Sequence, residues 1–282
     1  MRLTGILPMT TLFVIATAST ASAQLSAASE GPVVYGHHHL NVTSTAEHKK
    51  FWADTLGGTP TMFGQREIFK FPNVLVFASE RAPDGGTVGT TVNHIGFWVP
   101  SVRAMLDKVR AAGYPIVTRQ ELPPALEVND DMAYIANQDT YIAYVMAPDN
   151  VKVELVENRG QSEPIALHHI HFAASDVDAM KAWYVETFGA APGMRGSFQA
   201  ADLPGVNLTY SPGESLVGTQ GRSLDHIGFE VNGLEAFCKK LEAQGVTFDV
   251  PYRELDQFGI AIAFLTDPFG TYIELTEGLD KY

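Results

Sequence analysis

Eight of the nine histidines lie in four short apolar strings: GHHHL from Gly36 to Leu40, VNHIGF from Val92 to Phe97, LHHIHF from Leu167 to Phe172 and LDHIGF from Leu224 to Phe229. Imidazoles in such strand-like sequence can ligate a divalent ion or move protons. Side chains two apart on a strand share a face. His37 therefore goes with His39, His94 with Gly96, His169 with His171 and His226 with Gly228, while His38 and His168 point the other way. Each half of the chain also closes on a matching string that ends in a glutamate, Tyr144 to Glu154 and Phe264 to Glu274. The sequence thus offers two triads, His37, His94 and Glu154 in the first half and His169, His226 and Glu274 in the second. Two imidazoles and one carboxylate leave coordination positions open, which suits an ion that must also hold a substrate.

His171 and His39 each stand one strand step from a candidate ligand, where an imidazole of near-neutral pKa can act as acid or base. Holding the neighbouring ligand in place is the competing role. Tyr272, two residues before Glu274, and Tyr210 are further catalytic candidates. Trp98 falls on the histidine face, His48 reads as a solvated helix residue, and Cys238 as a small buried apolar side chain.

The spacing says what must position these groups. His37 and His94 are 57 residues apart, as are His169 and His226, and Gly57, Gly113, Gly189 and Gly245 follow the four histidines by 19 or 20. The chain is a duplicated pair of modules. Each reads as a strand, a helix capped by Ser, Thr or Asp and closed by glycine, then about three strands. The polar stretch Asn158 to Pro164 separates the halves, giving expected domains at 33–158 and 164–278.

The net charge of −13 argues against nucleic acid as a partner. Residues 1–23 have the features of a secretory signal: Arg2, an apolar run through Leu12 to Ala16, and Ala21-Ser22-Ala23 before Gln24. A membrane anchor fits less well, because the run is shorter than the roughly 20 apolar residues of a span. The expectation is a periplasmic or secreted mature chain with no membrane segment. Its one cysteine, Cys238, excludes an intramolecular disulfide.

The four modules, their strand histidines and the D-P-x-G-x-x-x-E tail from Asp267 to Glu274 resemble the vicinal oxygen chelate superfamily of glyoxalases, extradiol dioxygenases, epimerases and bleomycin-resistance proteins. The resemblance implies an α+β fold of two tandem domains, four βαβββ modules closing into two cup-shaped half-barrels, with the six residues above as metal ligands. It implies a divalent metal, Fe2+ first with Mn2+ or Zn2+ as alternatives, a small vicinal-oxygen or phenolic substrate, and a possible homodimer. Glyoxalase-like members resemble one another in a further acid or glutamine from the earlier module's last strand, whereas here those strands read Asn73 to Phe77 and Val206 to Tyr210. Three ligands look more like a ring-cleaving dioxygenase. A glyoxalase- or epimerase-like lyase or isomerase and a drug-sequestering binding protein are the alternatives. The chain departs from extradiol enzymes in having Asp256-Gln257-Phe258-Gly259 where they carry an upstream histidine, and in keeping all three ligands in its first half.

Overall fold

The computed structural model describes residues 25–26 and 32–282. The expected signal segment, 1–23, lies outside the described residues. Module one comprises β1 (Val33–Val42), α1 (Thr45–Lys49) continued by a wider π-helical stretch (Lys50–Thr55), β2 (Thr59–Phe63), β3 (Arg66–Phe71) and β4 (Val74–Glu80). Module two comprises β5 (Val92–Val99), α2 (Val102–Ala112), the short α3 (Thr118–Glu121), β6 (Ala133–Ile135), β7 (Thr140–Ala147) and β8 (Val151–Glu157). Module three is β9 (Ala166–Ala174), α4 (Val177–Phe188), β10 (Ala191–Arg195), β11 (Phe198–Leu203) and β12 (Val206–Pro212). Module four is β13 (Leu224–Val231), α5 (Leu234–Ala243), β14 (Val250–Leu255), β15 (Ile260–Thr266) and β16 (Tyr272–Glu277).

Local chemistry sets the helix ends. Ser44, Ser101 and Asp176 accept backbone N–H bonds from the first turns of α1, α2 and α4. Gly113 and Gly189 close α2 and α4 in the left-handed region, at φ 81° and 74°, where a side chain would be strained.

The α+β class and the two curled eight-stranded sheets agree with expectation, but the modules do not join in chain order. One sheet runs β14-β15-β16-β13-β1-β4-β3-β2, so module one pairs with module four. The other runs β10-β11-β12-β9-β5-β8-β7-β6, joining modules two and three. The expected units 33–158 and 164–278 are therefore not the sheet units. The short segment 158–165 returns the chain from β8 to β9 within one sheet. The longer segments 81–91 and 213–223 each cross between sheets and run side by side, with Asp84 N–H bonded to Gly221 O, Thr91 N–H to Val217 O and Ser223 N–H to Gly85 O.

Modules one and two, and likewise modules three and four, share a core instead of a sheet. Trp52 of module one lies 6.2 Å from Phe97 of module two, and Phe188 of module three lies 4.7 Å from Phe229 of module four. All four rings are at most 2% exposed. Each contributes about 1.5–3 kcal/mol relative to an exposed side chain. This apolar layer fills the helix side of both sheets and leaves the opposite faces free to form the cups. His48 belongs to the layer, contrary to the solvated position expected from sequence. It is 0% exposed, takes a hydrogen bond from Trp52 Nε1 at 3.1 Å, and lies 3.1 Å from Asp149, which reaches over from module two. Among the described residues no helix is long and apolar enough to cross a membrane.

Candidate metal centre

The strand registers bring the histidines together. In the first cup, made of modules one and four, antiparallel β1 and β13 set His37 opposite Gly228 and His39 opposite His226. Parallel β13 and β16 set Gly228 opposite Glu274. Gly228 is thus the empty slot across which His37 and Glu274 meet. A Cβ there would come within 2.0 Å of the His37 ring. The second cup repeats the row, with Gly96 opposite His169 and Glu154, His94 opposite His171, and a Cβ on Gly96 likewise 2.0 Å from His169. The alternation of H-x-H and H-x-G in the sequence is therefore steric complementarity between paired strands.

The triads expected from sequence are corrected accordingly. His37 does not meet His94 and Glu154, nor does His169 meet His226 and Glu274. The converging groups are His37, His226 and Glu274 in one cup and His94, Glu154, His169 and His171 in the other. All six expected ligands lie in a cluster, with histidine partners exchanged between the halves because the sheets exchange modules.

In the first cup the Nε2 atoms of His37 and His226 lie 2.9 and 3.0 Å from the same oxygen, Glu274 Oε2. Donors at adjacent positions around a six-coordinate ion with bonds near 2.1 Å stand about 3 Å apart, so the spacing is that of a ligand set. Asp225 reinforces it, accepting the His226 Nδ1–H at 2.8 Å. With Nδ1–H committed to Asp225, Nε2 faces Glu274 as an N–H donor in the protonated ring, and in the neutral ring it presents a lone pair that a cation between the two can take. Burial would lower the His226 pKa, but the Asp225 and Glu274 carboxylates raise it above the ordinary value. Burial would likewise raise Glu274, yet the hydrogen bonds of His226 and His37 hold it well below the usual carboxylate range. The first cup is cation-seeking, and its donor set fits a divalent ion.

The second cup has the same donor spacing: His94 and His169 Nε2 lie 2.9 and 3.1 Å from Glu154 Oε2 and 3.3 Å from each other. Its electrostatics differ. Asn93, not an aspartate, accepts the His94 Nδ1–H at 2.9 Å. Arg195 Nη2 lies 3.5 Å from Glu154 Oε1. Burial, then the Arg195 charge, hold His169 well below the ordinary imidazole range, and burial lowers His94. Burial would raise Glu154, but His169 and Arg195 bring it well down.

The sequence did not single out Asp225, Asn93 or Arg195. The first two are the residues just before the histidine in LDHIGF and VNHIGF, and each falls at a break in register, between His226 and Leu224 and between His94 and Val92. A bulge turns consecutive side chains toward one face, which lets each hold its neighbour's ring. The same effect corrects His168. It sits at the register break between His169 and Leu167 and turns to within 3.0 Å of His169 Nδ1 and against Trp98, instead of pointing away.

The expected catalytic groups separate as well. His39 lines two cavities of the first cup, a polar one of about 620 Å³ that also takes in Tyr272, and an aromatic one of about 210 Å³ that takes in His37 and Glu274. His39 Nε2 lies 2.7 Å from Ser79 Oγ, and burial keeps the ring neutral. His171 is held in the second cup, 2.9 Å from Ser211 Oγ and beneath Phe198. Tyr210 is a correction: it stacks on Phe172 in the helix-side core and faces neither cup. The tail motif divides into two functions, Asp267 accepting the N–H groups of Phe269 and Thr271 to shape the turn and Glu274 projecting into the cup.

Residues 166–275 match the family model of the Glyoxalase/Bleomycin resistance protein/Dioxygenase superfamily. The match spans modules three and four, and over that stretch the chain is similar to this superfamily, the vicinal oxygen chelate proteins. Glyoxalase I from Zea mays is similar in fold, with a TM-score of 0.67 and 15% identity over 88% of this chain and 94% of that one. A candidate dioxygenase from Bacillus subtilis has a TM-score of 0.63 at 15% identity, over 86% of this chain and 84% of that one. No curated protein matches the sequence. At such identity the structural likeness speaks to the vicinal-oxygen-chelate fold alone.

Proposed function

We propose that the first cup is the active site of a divalent-metal-dependent dioxygenase acting on a small, single-ring phenolic or vicinal-oxygen substrate, with His37, His226 and Glu274 as the metal ligands. The observation that carries this reading is a three-donor set at the floor of an aromatic cavity with no acid at the paired positions of the neighbouring strand β4 to serve as a fourth ligand. On β4, the strand next to β1, Leu75 and Phe77 pair with His37 and His39 where a further ligand would stand. Three protein donors leave room for two substrate oxygens and one more small ligand. Fe2+ fits this set first, with Mn2+ or Zn2+ as alternatives.

A bound ion would supply Lewis acidity and coordination for two neighbouring oxygens. The chain's own residues do the rest. Asp225 fixes the His226 ring. Phe63, Phe77, Phe258 and Ile260 line the 210 Å³ cavity, exclude water and limit it to about one ring. His39, neutral and at the junction of the two cavities, offers an imidazole to a substrate hydroxyl, with Ser79 steadying it. Tyr272 lies across the polar cavity, its ring 5.7 Å from that of His226. The likeness to glyoxalase I supports a lyase as the second reading, in which His39 moves a proton next to a stabilised enolate. Leu75 and Phe77, in place of an acid that could be a fourth ligand, favour the first.

Anaerobic loading with Fe2+, addition of a panel of catechols and admission of oxygen should give oxygen uptake with a coloured ring-opened product. No uptake across the panel would transfer the assignment to the lyase reading. A chain that binds an aromatic drug equally well with and without metal would instead favour sequestration. We further propose that the chain is exported and that the mature protein begins at Gln24. N-terminal sequencing of protein recovered from the periplasm or medium checks this, and an intact Met1 on the purified protein would refute it.

A further inference from the structure

The two cups differ at one hairpin. The β2–β3 turn reads Phe63-Gly64-Gln65-Arg66, and the β10–β11 turn reads Arg195-Gly196-Ser197-Phe198, the same frame with the aromatic and the arginine exchanged. In both, the two residues are cross-strand partners. In the first cup Phe63 points inward, its ring 5.4 Å from Phe77 and 4.8 Å from Phe258. Arg66 stays exposed at the cavity edges and makes no ion pair among the described residues. In the second cup the arginine is the inward residue. Its Nη1–H donates to Thr209 Oγ1 at 3.1 Å, its Nη2 faces Glu154, and its Nε is buried with no hydrogen-bond partner among the described residues.

This exchange changes the charge that an ion would meet. The first cup presents two carboxylates, Glu274 and Asp225, and its glutamate side chain is 13% exposed. In the second, the Arg195 charge cancels that of Glu154, Asn93 replaces the second carboxylate, and the Glu154 and Arg195 side chains are 3% and 11% exposed. The nearby Lys152 is itself paired with Glu121. Donor spacing suits an ion in both cups. A divalent ion in the second, however, would enter a closed site of no net negative charge with a guanidinium on its own carboxylate, where low dielectric strengthens the repulsion.

We infer that the His94, Glu154, His169 and His171 cluster carries Arg195 as its built-in cation and takes no metal, so that the chain holds a single metal centre, in the first cup. The inference rests on the metal reading of that cup. Its test is the metal content of the full chain, loaded with Mn2+ or Zn2+, desalted and measured by atomic emission. About one ion per chain is expected, falling near zero in His37→Ala and unchanged in His169→Ala. Arg195→Gln, and the exchange R195F/F198R that copies the first hairpin, should raise the content to about two.

Two ions in the unmutated chain, one of them lost in His169→Ala, would overturn the inference. So would Arg195→Gln that keeps its circular dichroism and still holds one. A chain that takes no ion at all refutes the metal reading of the first cup. In that case a gain of one ion by Arg195→Gln supports the role given to Arg195, and no gain overturns it.

Discussion

Replacing Glu274 by glutamine is expected to weaken metal binding by at least about 100-fold, since changes to groups that merely orient ligands already cost 10- to 100-fold. Glu274 Oε2 is the one atom that both His37 and His226 approach at about 3 Å, and its charge is a main counterpart of the ion. Glutamine keeps the shape and removes the charge. Asp225→Asn should fall in the 10- to 100-fold range, because it leaves the three donors and loosens only the His226 ring. The corresponding change in the second cup, Glu154→Gln, should leave metal affinity within a few-fold. Competition against a chelator, with circular dichroism to confirm folding, measures all three. Equal losses for Glu274→Gln and Glu154→Gln would refute the division of labour between the cups.

Acid should destabilise the metal-free protein well before the carboxylates titrate. His38 is fully buried beside Tyr35, and burial together with neighbouring His37 pushes its pKa down to about 3. Unfolding returns it to water, where imidazole binds a proton below about pH 6.5. The unfolded chain therefore holds the extra proton between those limits. The stability linked to His38 is whole above about 6.5 and is lost as pH falls toward 3, at about 1.4 kcal/mol per pH unit. His39, His94, His169 and His171 are shifted down by burial in the same direction. Glu274 and Glu154, held low in the fold, add stability that is present above about pH 4.5 and is lost as pH falls through their folded values. His226 has the opposite sign, since its raised pKa gives stability below about 6.5 that is lost as pH rises.

The downward-shifted histidines outnumber it, so the melting temperature of chelator-treated protein should fall on acidification. Each linked proton contributes roughly 3–5 °C per pH unit in a chain of this size. Calorimetry between about pH 7.5 and 4.5 reads the slope, and His38→Gln should reduce it by about one proton. A melting temperature that is flat across this range would contradict the neutral buried state of these rings.

These two expectations draw on different layers of the molecule. Glu274, the strand histidines and the four-module plan are legible in the sequence because they rest on short-range rules. Alternation along a strand sets the histidine face, glycine closes each helix, and the Asp267 turn fixes where Glu274 falls. Even the H-x-H and H-x-G alternation states that a histidine strand must lie beside a glycine strand. It does not say which one, because module one finds the same complementary glycine in module two as in module four.

That choice belongs to the tertiary structure. Segments 81–91 and 213–223 cross together between the sheets while 158–165 stays within one, and the helix-side core binds the consecutive modules that the sheets do not. Asp225, Asn93 and His168 turn toward the cups only because the partner strand imposes a bulge. Arg195 becomes a cation for Glu154 only once β10 of module three joins the sheet that holds β8 of module two. The sequence by itself determined the donors and the faces they occupy, since these depend on neighbours along the chain. Which donors share a site, and which site already has its positive charge, depended on strand pairing between distant segments, and that free energy is settled only when the whole chain is packed.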